Sequence, residues 1–341
     1  YLQPIARSVH PTIKMESGYS MTEDLVWLSN SKVKIGLNIK RGGQIAWASL
    51  LNATTNLVYN GYDGGFQITL DAYQKKDGYS QNGKFSRKEH NDIYQFNNTP
   101  RRDPVTGVEN TSIPPLTSYN TTMGGDFNNN SQSLLYHYRE GNSYIIAVRP
   151  IFYTIDSEFS QVIIETKYTL EPDAISLRIE HKYISKRTDG QYDGGGFDAA
   201  AAPACFLVNT LNKFRVHDGD NLLTGNLPVE NYGQPILGVH TNKKYLCVHN
   251  NDDSKALGIY RVKTGTSAYC KLKQLEVNGS AGTEFTGGFT YVDFDEEFAN
   301  PVTGIANRNG FERTMISYIM IGNNSTEIDT EAQRLKVLTG N

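Results

Sequence analysis

Apolar and polar positions alternate one for one over much of this chain. In "KVKIGLNI" (32–39) Val33, Ile35, Leu37 and Ile39 fall on one face, with Lys32, Lys34 and Asn38 on the other. A period of two is the mark of a half-buried β-strand. Arg41, Gly42 and Gly43 turn the chain, and "QIAWASL" (44–50) reads as the return strand, carrying Trp47. From residue 134 onward strands dominate. "SYIIAVRPIFYTI" (143–155), "QVIIETKYTL" (161–170) and "AISLRIEHKYI" (174–184) follow one another, the last two joined by the turn at Glu171–Asp173. Further strands are predicted at 206–216, 243–250, 256–263, 268–277, 285–294 and 314–321. Only one segment has a helical period. In "NSTEIDTEAQRLKVL" Ile328, Ala332 and Leu335 form a stripe, which predicts a helix over 327–338 capped by Ser325 or Thr326.

Between these elements the pattern loosens in two places. Residues 1–24 carry Pro4 and Pro11 and no clear period, and read as an extended N-terminal arm. Residues 74–131 are long, polar and punctuated by "QNGK", "TPRRDP" and "SIPPL", the composition of a rim or binding surface. No fixed repeat and no linker divides the remainder. The expected architecture is all-β: a large antiparallel sandwich over 25–341, as one domain with one short C-terminal helix.

Composition narrows the function classes. The 341 residues carry a formal charge of −3, so no basic field points to nucleic acid or an anionic membrane. No apolar run approaches the ~20 residues that a membrane-spanning helix needs. There are 21 tyrosines, whose flat apolar ring and polar tip suit wet sheet faces and sugar contacts alike. The chain opens at Tyr1 without an apolar signal core, as a mature secreted protein would. Sequons stand at Asn52, Asn97, Asn110, Asn120, Asn129, Asn278, Asn323 and Asn324. Four of them cluster between 97 and 131, where a loop is accessible to glycan. An extracellular, glycosylated protein is therefore expected. Of the three cysteines, Cys247 and Cys270 are able to bridge in such a compartment, and buried thiols are the other reading.

The candidate chemistry lies on alternating strands. In "LLYHYRE" His137 and Arg139 share one face, and in "LRIEHKY" Arg178, Glu180 and Lys182 share a face opposite His181. A His or Tyr base with an Arg neutralising a uronate would serve a lyase, and paired carboxylates would serve hydrolysis. His137, Arg139, Glu180 and His181 are thus the catalytic candidates, against the plainer reading of a polar sheet face. Asp189, Asp193 and Asp198 in "DGQYDGGGFD" offer oxygen ligands for calcium but lack the EF-hand spacing, so no cofactor is required. Asp293 and Asp295 in "DFDEEF" alternate on a strand end and read as solvated. His217, His240 and His249 form no readable metal set.

The order of "VKIGLNIKRGGQIAWAS", "NLVYNGYDGGFQ", "YNTTMGGDFNNNSQSLL" and "VRPIFYTI…IIETKYTL" resembles a poorly characterised group of secreted, mostly bacterial, carbohydrate-related proteins. Their fold is of the galactose-mutarotase-like β-supersandwich type. The likeness runs over about residues 25–321, and "RGG" (41–43) and "GGD" (124–126) match well. It implies carbohydrate as partner, with Trp47, Tyr119 and Asp126 as glycan contacts. The departures matter as much. The relatives carry an arginine where this chain has "GGFQITL" (64–70), and Trp-Asn-Pro where it has Tyr119-Asn120-Thr121. They carry a Gln-Glu pair where it has Ala200-Ala201-Ala202 before Pro203-Ala204. An alanine moves no protons. The resemblance therefore implies a glycan-binding or extracellular structural subunit that does not catalyse. The alternative is a polysaccharide lyase or glycoside hydrolase with a rearranged site. The extended arm over 1–24, with apolar Leu2, Ile5, Val9, Ile13 and Met15, is suited to pair with an exposed sheet edge, either of its own domain or of the next molecule, where the contact would propagate into a filament.

Overall fold

The computed structural model describes residues 25–59 apart from 40 and 41, then 68–72, 134–148, 162–185, 200–218, 221–230, 237–241, 243–262, 268–275, 289–296 and 312–340. Three two-residue pairings are also described, Ile13–Lys14 with Ser20–Met21, Arg101–Arg102 with Glu109–Asn110, and Ile151–Phe152 with Glu158–Phe159.

The chain lays down four strands first, β1 (Leu25–Ser29), β2 (Val33–Asn38), β3 (Gln44–Leu50) and β4 (Ile68–Ala72). Then come β5 (Leu134–Glu140), β6 (Ser143–Val148), β7 (Val162–Leu170) and β8 (Ser176–Ser185). The next group is β9 (Ala200–Val208), β10 (Lys213–Asp218), β11 (Asn221–Asn226), β12 (Val229–Glu230) and β13 (Leu237–Thr241). It closes with β14 (Tyr245–His249), β15 (Ala256–Val262), β16 (Ala268–Leu275), β17 (Phe289–Glu296), β18 (Glu312–Gly322) and the helix α1 (Ser325–Thr339). These strands form two nine-stranded sheets. Sheet A runs β11-β10-β14-β15-β18-β8-β7-β6-β5, and sheet B runs β12-β16-β17-β9-β4-β3-β2-β1 with β13 also on β16. All pairings in both sheets are antiparallel except β12 with β16.

The alternation read from the sequence puts one face of each sheet into a shared core. Ile35, Leu37, Ile45, Cys205, Leu272 and Val292 of sheet B meet Tyr144, Ile146, Ile164, Ile179, Ile259 and Ile319 of sheet A. Burying such side chains is the main favourable term in folding. Polar stitches join the sheets at one edge. Asn30 Nδ2 donates to the carbonyls of Glu171 at 2.6 Å and Ala174 at 2.8 Å. Arg139, on edge strand β5, donates from Nη2 to the Trp27 carbonyl of edge strand β1 at 2.7 Å.

The helix lies on the outer face of sheet A. Ile328, Ala332 and Leu335 pack on Tyr245, Cys247, Tyr260 and Met320. Close docking needs a glycine beneath, since a Cβ at Gly258 would stand 2.3 Å from Ile328 Cγ2. The cap is Asn324, whose side chain accepts from the Glu327 N–H at 2.9 Å. Ser325 is instead held from outside the helix, its N–H and hydroxyl both donating to Asp253. The helix thus begins earlier than 327, and neither Ser325 nor Thr326 caps it.

Two other expectations change. The apolar run 206–216 is two strands, because residues 209–212 turn a corner that carries the chain from sheet B into sheet A; Thr290 Oγ1 donates to the Leu211 carbonyl there at 2.7 Å. The run 143–155 likewise ends its strand at Val148. Cys247 and Cys270 are not bridged: all three cysteines are buried thiols, Cys247 beneath the helix and Cys205 and Cys270 between the sheets.

Candidate functional site

Sheet B turns its other face away from the core, and the register assembles that face from strands far apart in sequence. One cross-strand row runs Leu25, Asn38, Gln44 on β1, β2 and β3. The Ile45–Ile68 pairing sets Thr69 beside Gln44, and the row continues through Ala204, Asp293 and Lys271. A second row holds Asp71, Ala201, Asp295, Tyr269 and His240. The pairing slips between Ala201 and Ala204, so Ala202 and Pro203 form a bulge in a central strand. A bulge is where a proline, which has no N–H to donate, is tolerated inside a sheet. The alanines flanking it give the middle strand minimal side chains between two acid-bearing neighbours.

Beyond these rows stand two indoles. Trp27 and Trp47 lie on either side of Gly36, with ring centroids 6.0 Å apart at 67°. A Cβ on Gly36 would meet Leu25 Cδ1 at 2.9 Å and Trp47 Cβ at 3.0 Å, so glycine permits the pair. The Lys34 ammonium lies 4.0 Å from the Trp27 ring, and Trp47 Nε1 donates to Ser49 Oγ at 2.8 Å. Both indoles are half-buried. Gln44 is 1% exposed, and neither its Oε1 nor its Nε2 has a hydrogen-bond partner.

The four residues read as catalytic candidates do not form one site. His137 and His181 fall in a single core-facing row, with Ile146 and Thr166 between them. His137 Nδ1 shares a hydrogen bond of 2.5 Å with the Tyr144 hydroxyl, which burial pushes up to about 12. His181 is buried, meets Thr166 Oγ1 at 2.9 Å, and is pulled down to about 3 by loss of water. Arg139 serves the edge stitch to Trp27. Glu180 stands on the opposite face, in an ion pair with Arg178 at 2.5 Å. Its neighbours there are paired too: Lys167 with Glu140 at 2.8 Å, Lys182 with Glu312 at 2.7 Å, and the Tyr136 hydroxyl with Glu165 across Ala147. That face of sheet A is an ion-paired polar surface.

Of the expected glycan contacts, Trp47 belongs to the indole pair, while Tyr119 and Asp126 lie outside the described residues. So do Asp189, Asp193 and Asp198, and the sequons Asn97, Asn120, Asn129 and Asn278. Asn110 falls in a two-residue strand, Asn52 is exposed, and Asn323 and Asn324 engage Glu327 at the start of the helix. Among the described residues no group of His, Cys, Asp or Glu is arranged to hold a metal ion, and no helix is long and apolar enough to cross a membrane. Gln44, Thr69 and Asp71 were not singled out in the sequence; their only signal is the alternation in "QIAWASL" and "ITLDA", and it takes the register to join them to Asp293 and Asp295.

No protein-family model matches this sequence, and no curated protein matches it. Solved structures similar to the chain include galactose mutarotase-like proteins. A galactose mutarotase related enzyme from Lactobacillus acidophilus is 8% identical, with a TM-score of 0.47 over 88% of this chain and 98% of that one. A galactose mutarotase-like protein from Lactobacillus casei is 9% identical, with a TM-score of 0.44 over 87% of this chain and 100% of that one. An alpha-N-acetylgalactosaminidase from Bifidobacterium bifidum is 10% identical, with a TM-score of 0.48 over 92% of this chain and 39% of that one.

Proposed function

We propose that the outer face of sheet B binds carbohydrate. The observation that carries this is the Trp27–Trp47 pair standing on the same face as Gln44, whose amide lacks partners. The C–H face of a sugar ring packs on an indole, and its hydroxyls both donate and accept. A side-chain amide is matched to that demand, having an acceptor oxygen and two N–H donors. The resemblance in sequence motifs supports the same substrate class. In this reading the protein is secreted and carries N-glycans, with exposed Asn52 as an acceptor and the 97–131 sequons as others. It then acts outside the cell as a glycan-binding or structural subunit. The second reading, a carbohydrate enzyme, is favoured by one specific observation, the row of Asp71, Ala201 and Asp295.

A glycan array followed by calorimetry on the strongest hits tests the binding. Trp47→Ala is expected to weaken a bound glycan by roughly two- to twelvefold, in line with the ~0.5–1.5 kcal/mol of a lost aromatic contact. If no glycan binds the native protein, or Trp47→Ala binds as tightly, the face does not have this role.

A further inference from the structure

The three strands that build the indole corner, β1, β2 and β3, carry no carboxylate. From Leu25 to Tyr62 the chain has no Asp or Glu, although 36 of its 341 residues are acidic. The same stretch has Lys32, Lys34, Lys40 and Arg41. A block of one sign in a chain of net charge −3 gives this corner a field of its own.

Two cations close on Trp27. The Lys34 ammonium lies 4.0 Å from the centre of its ring. Arg139, reaching over from edge strand β5 of the other sheet, donates to its carbonyl at 2.7 Å. The register gives Lys34 the same face as the indoles. Ser29, Lys34 and Ser49 form one cross-strand row, and Trp27, Gly36 and Trp47 form the next. Trp47 is held in orientation there by its N–H, which donates to Ser49 Oγ. Among the described residues neither Lys34 nor Arg139 is in an ion pair. The cations on the outer face of sheet A are used differently, since Lys167, Arg178 and Lys182 each hold a carboxylate within 2.8 Å. An ammonium laid on an indole keeps N–H donors on its far side. A guanidinium that gives one N–H to a carbonyl keeps the rest of its fork.

Resting on the carbohydrate reading above, we infer that the indole corner takes acidic carbohydrate, sugars bearing a carboxylate or a sulfate ester, and that Lys34 and Arg139 set this preference. The sugar packs its C–H face on the indole, and the acid group projects from the ring edge toward the cations. A neutral sugar gains the packing alone. An acidic sugar also gains charge-assisted hydrogen bonds, which are the stronger kind. The Arg139 fork matches the paired oxygens of either group, and Lys34 adds a point charge on a flexible stem. The lack of acids on these three strands works in the same direction, because none of them repels an incoming anion.

The full chain is titrated by calorimetry with polygalacturonate, its fully methyl-esterified form, dextran sulfate and dextran. Polyglutamate supplies the charge without the sugar ring. An acidic polysaccharide is expected to bind about tenfold or more tighter than its neutral counterpart, and to weaken as salt is raised. The two matched pairs separate carboxylate from sulfate as the group recognised. Lys34→Gln and Arg139→Gln should each weaken the acidic polymer about three- to tenfold and flatten its salt dependence. Lys34→Arg should restore most of the affinity. Lys182→Gln, which removes the same charge from the other sheet, should leave it unchanged. Thermal melts separate lost binding from lost fold, and Lys34→Gln decides the matter if Arg139→Gln does not fold. Equal binding of acidic and neutral polymers, neutral binders alone, or unchanged affinity in Lys34→Gln overturns this inference and leaves the carbohydrate reading standing. Polyglutamate binding as tightly as the acidic polysaccharides overturns it as well, since any polyanion would then serve. If no glycan binds here or on the array, both readings fall together.

Discussion

The His181 imidazole lies between the sheets, with Thr166 on Nδ1 and nothing on Nε2. Burial pulls its pKa from 6.5 to about 3, because a charged ring there would have no water to stabilise it. As pH falls, the unfolded chain takes up this proton first. The folded state is therefore at full advantage above about pH 6.5 and loses it progressively from there toward pH 3. Between pH 7 and 5 the loss from this one group is about 2 kcal/mol. His181→Gln does not titrate in this range and should flatten the acid limb by that amount. Urea unfolding of both proteins at pH 7 and pH 5 checks it, and equal slopes would show that His181 is not the group responsible. A substituent at Gly36 illustrates the same dependence on close contacts, since a Cβ there would press on both indoles.

At the scale of elements, the helix rests on sheet A through one apolar stripe and is held at its start by one cap. Gly258→Ala drives a methyl group against Ile328 and Met320, and is expected to cost about 1–3 kcal/mol. Asn324→Ala removes the cap and is expected to cost about 0.5–2 kcal/mol. A double-mutant cycle read by chemical unfolding should find the two nearly additive, because one acts at the helix start and the other beneath its face. A large coupling would mean that the cap and the packing seat the helix together. The stripe of Ile328, Ala332 and Leu335 made this helix readable in advance, and period-two alternation did the same for β2, β3, β7 and β8. The corner at 209–212 was not readable, since Leu211 is as apolar as the strands on either side and ends up fully buried. Nor was the cap, because Asn324, Ser325 and Thr326 are all good N-cap residues and only the Asp253 contact takes Ser325 away. Alternation also put His137 with Arg139 and split Glu180 from His181, but it does not say which face meets the core. The row of Asp71, Ala201 and Asp295 was beyond its reach altogether, because those residues come together only through pairings across 130 and 94 positions of sequence.

For the molecule as a whole, one strand decides when the fold can close. Sheet A has two halves, β11-β10-β14-β15 on one side and β8-β7-β6-β5 on the other, and β18 is the piece between them. It pairs along Ser176–Ile184 on one flank and Ala256–Val262 on the other. Every one of those partners precedes it in the chain. During synthesis the two half-sheets therefore wait with facing edges bare until residues 312–322 have left the ribosome. Bare edges are templates for pairing with other chains. A chain stopped at residue 310 is expected to be insoluble, although nearly all of its core residues are present, and supplying a peptide of residues 311–341 during refolding is expected to recover soluble protein. Centrifugation of the two refolding mixtures gives the answer. A cell making this protein thus holds its most aggregation-prone form for the time that the last strand takes to arrive, and it is over that interval, rather than in the finished molecule, that a chaperone would matter.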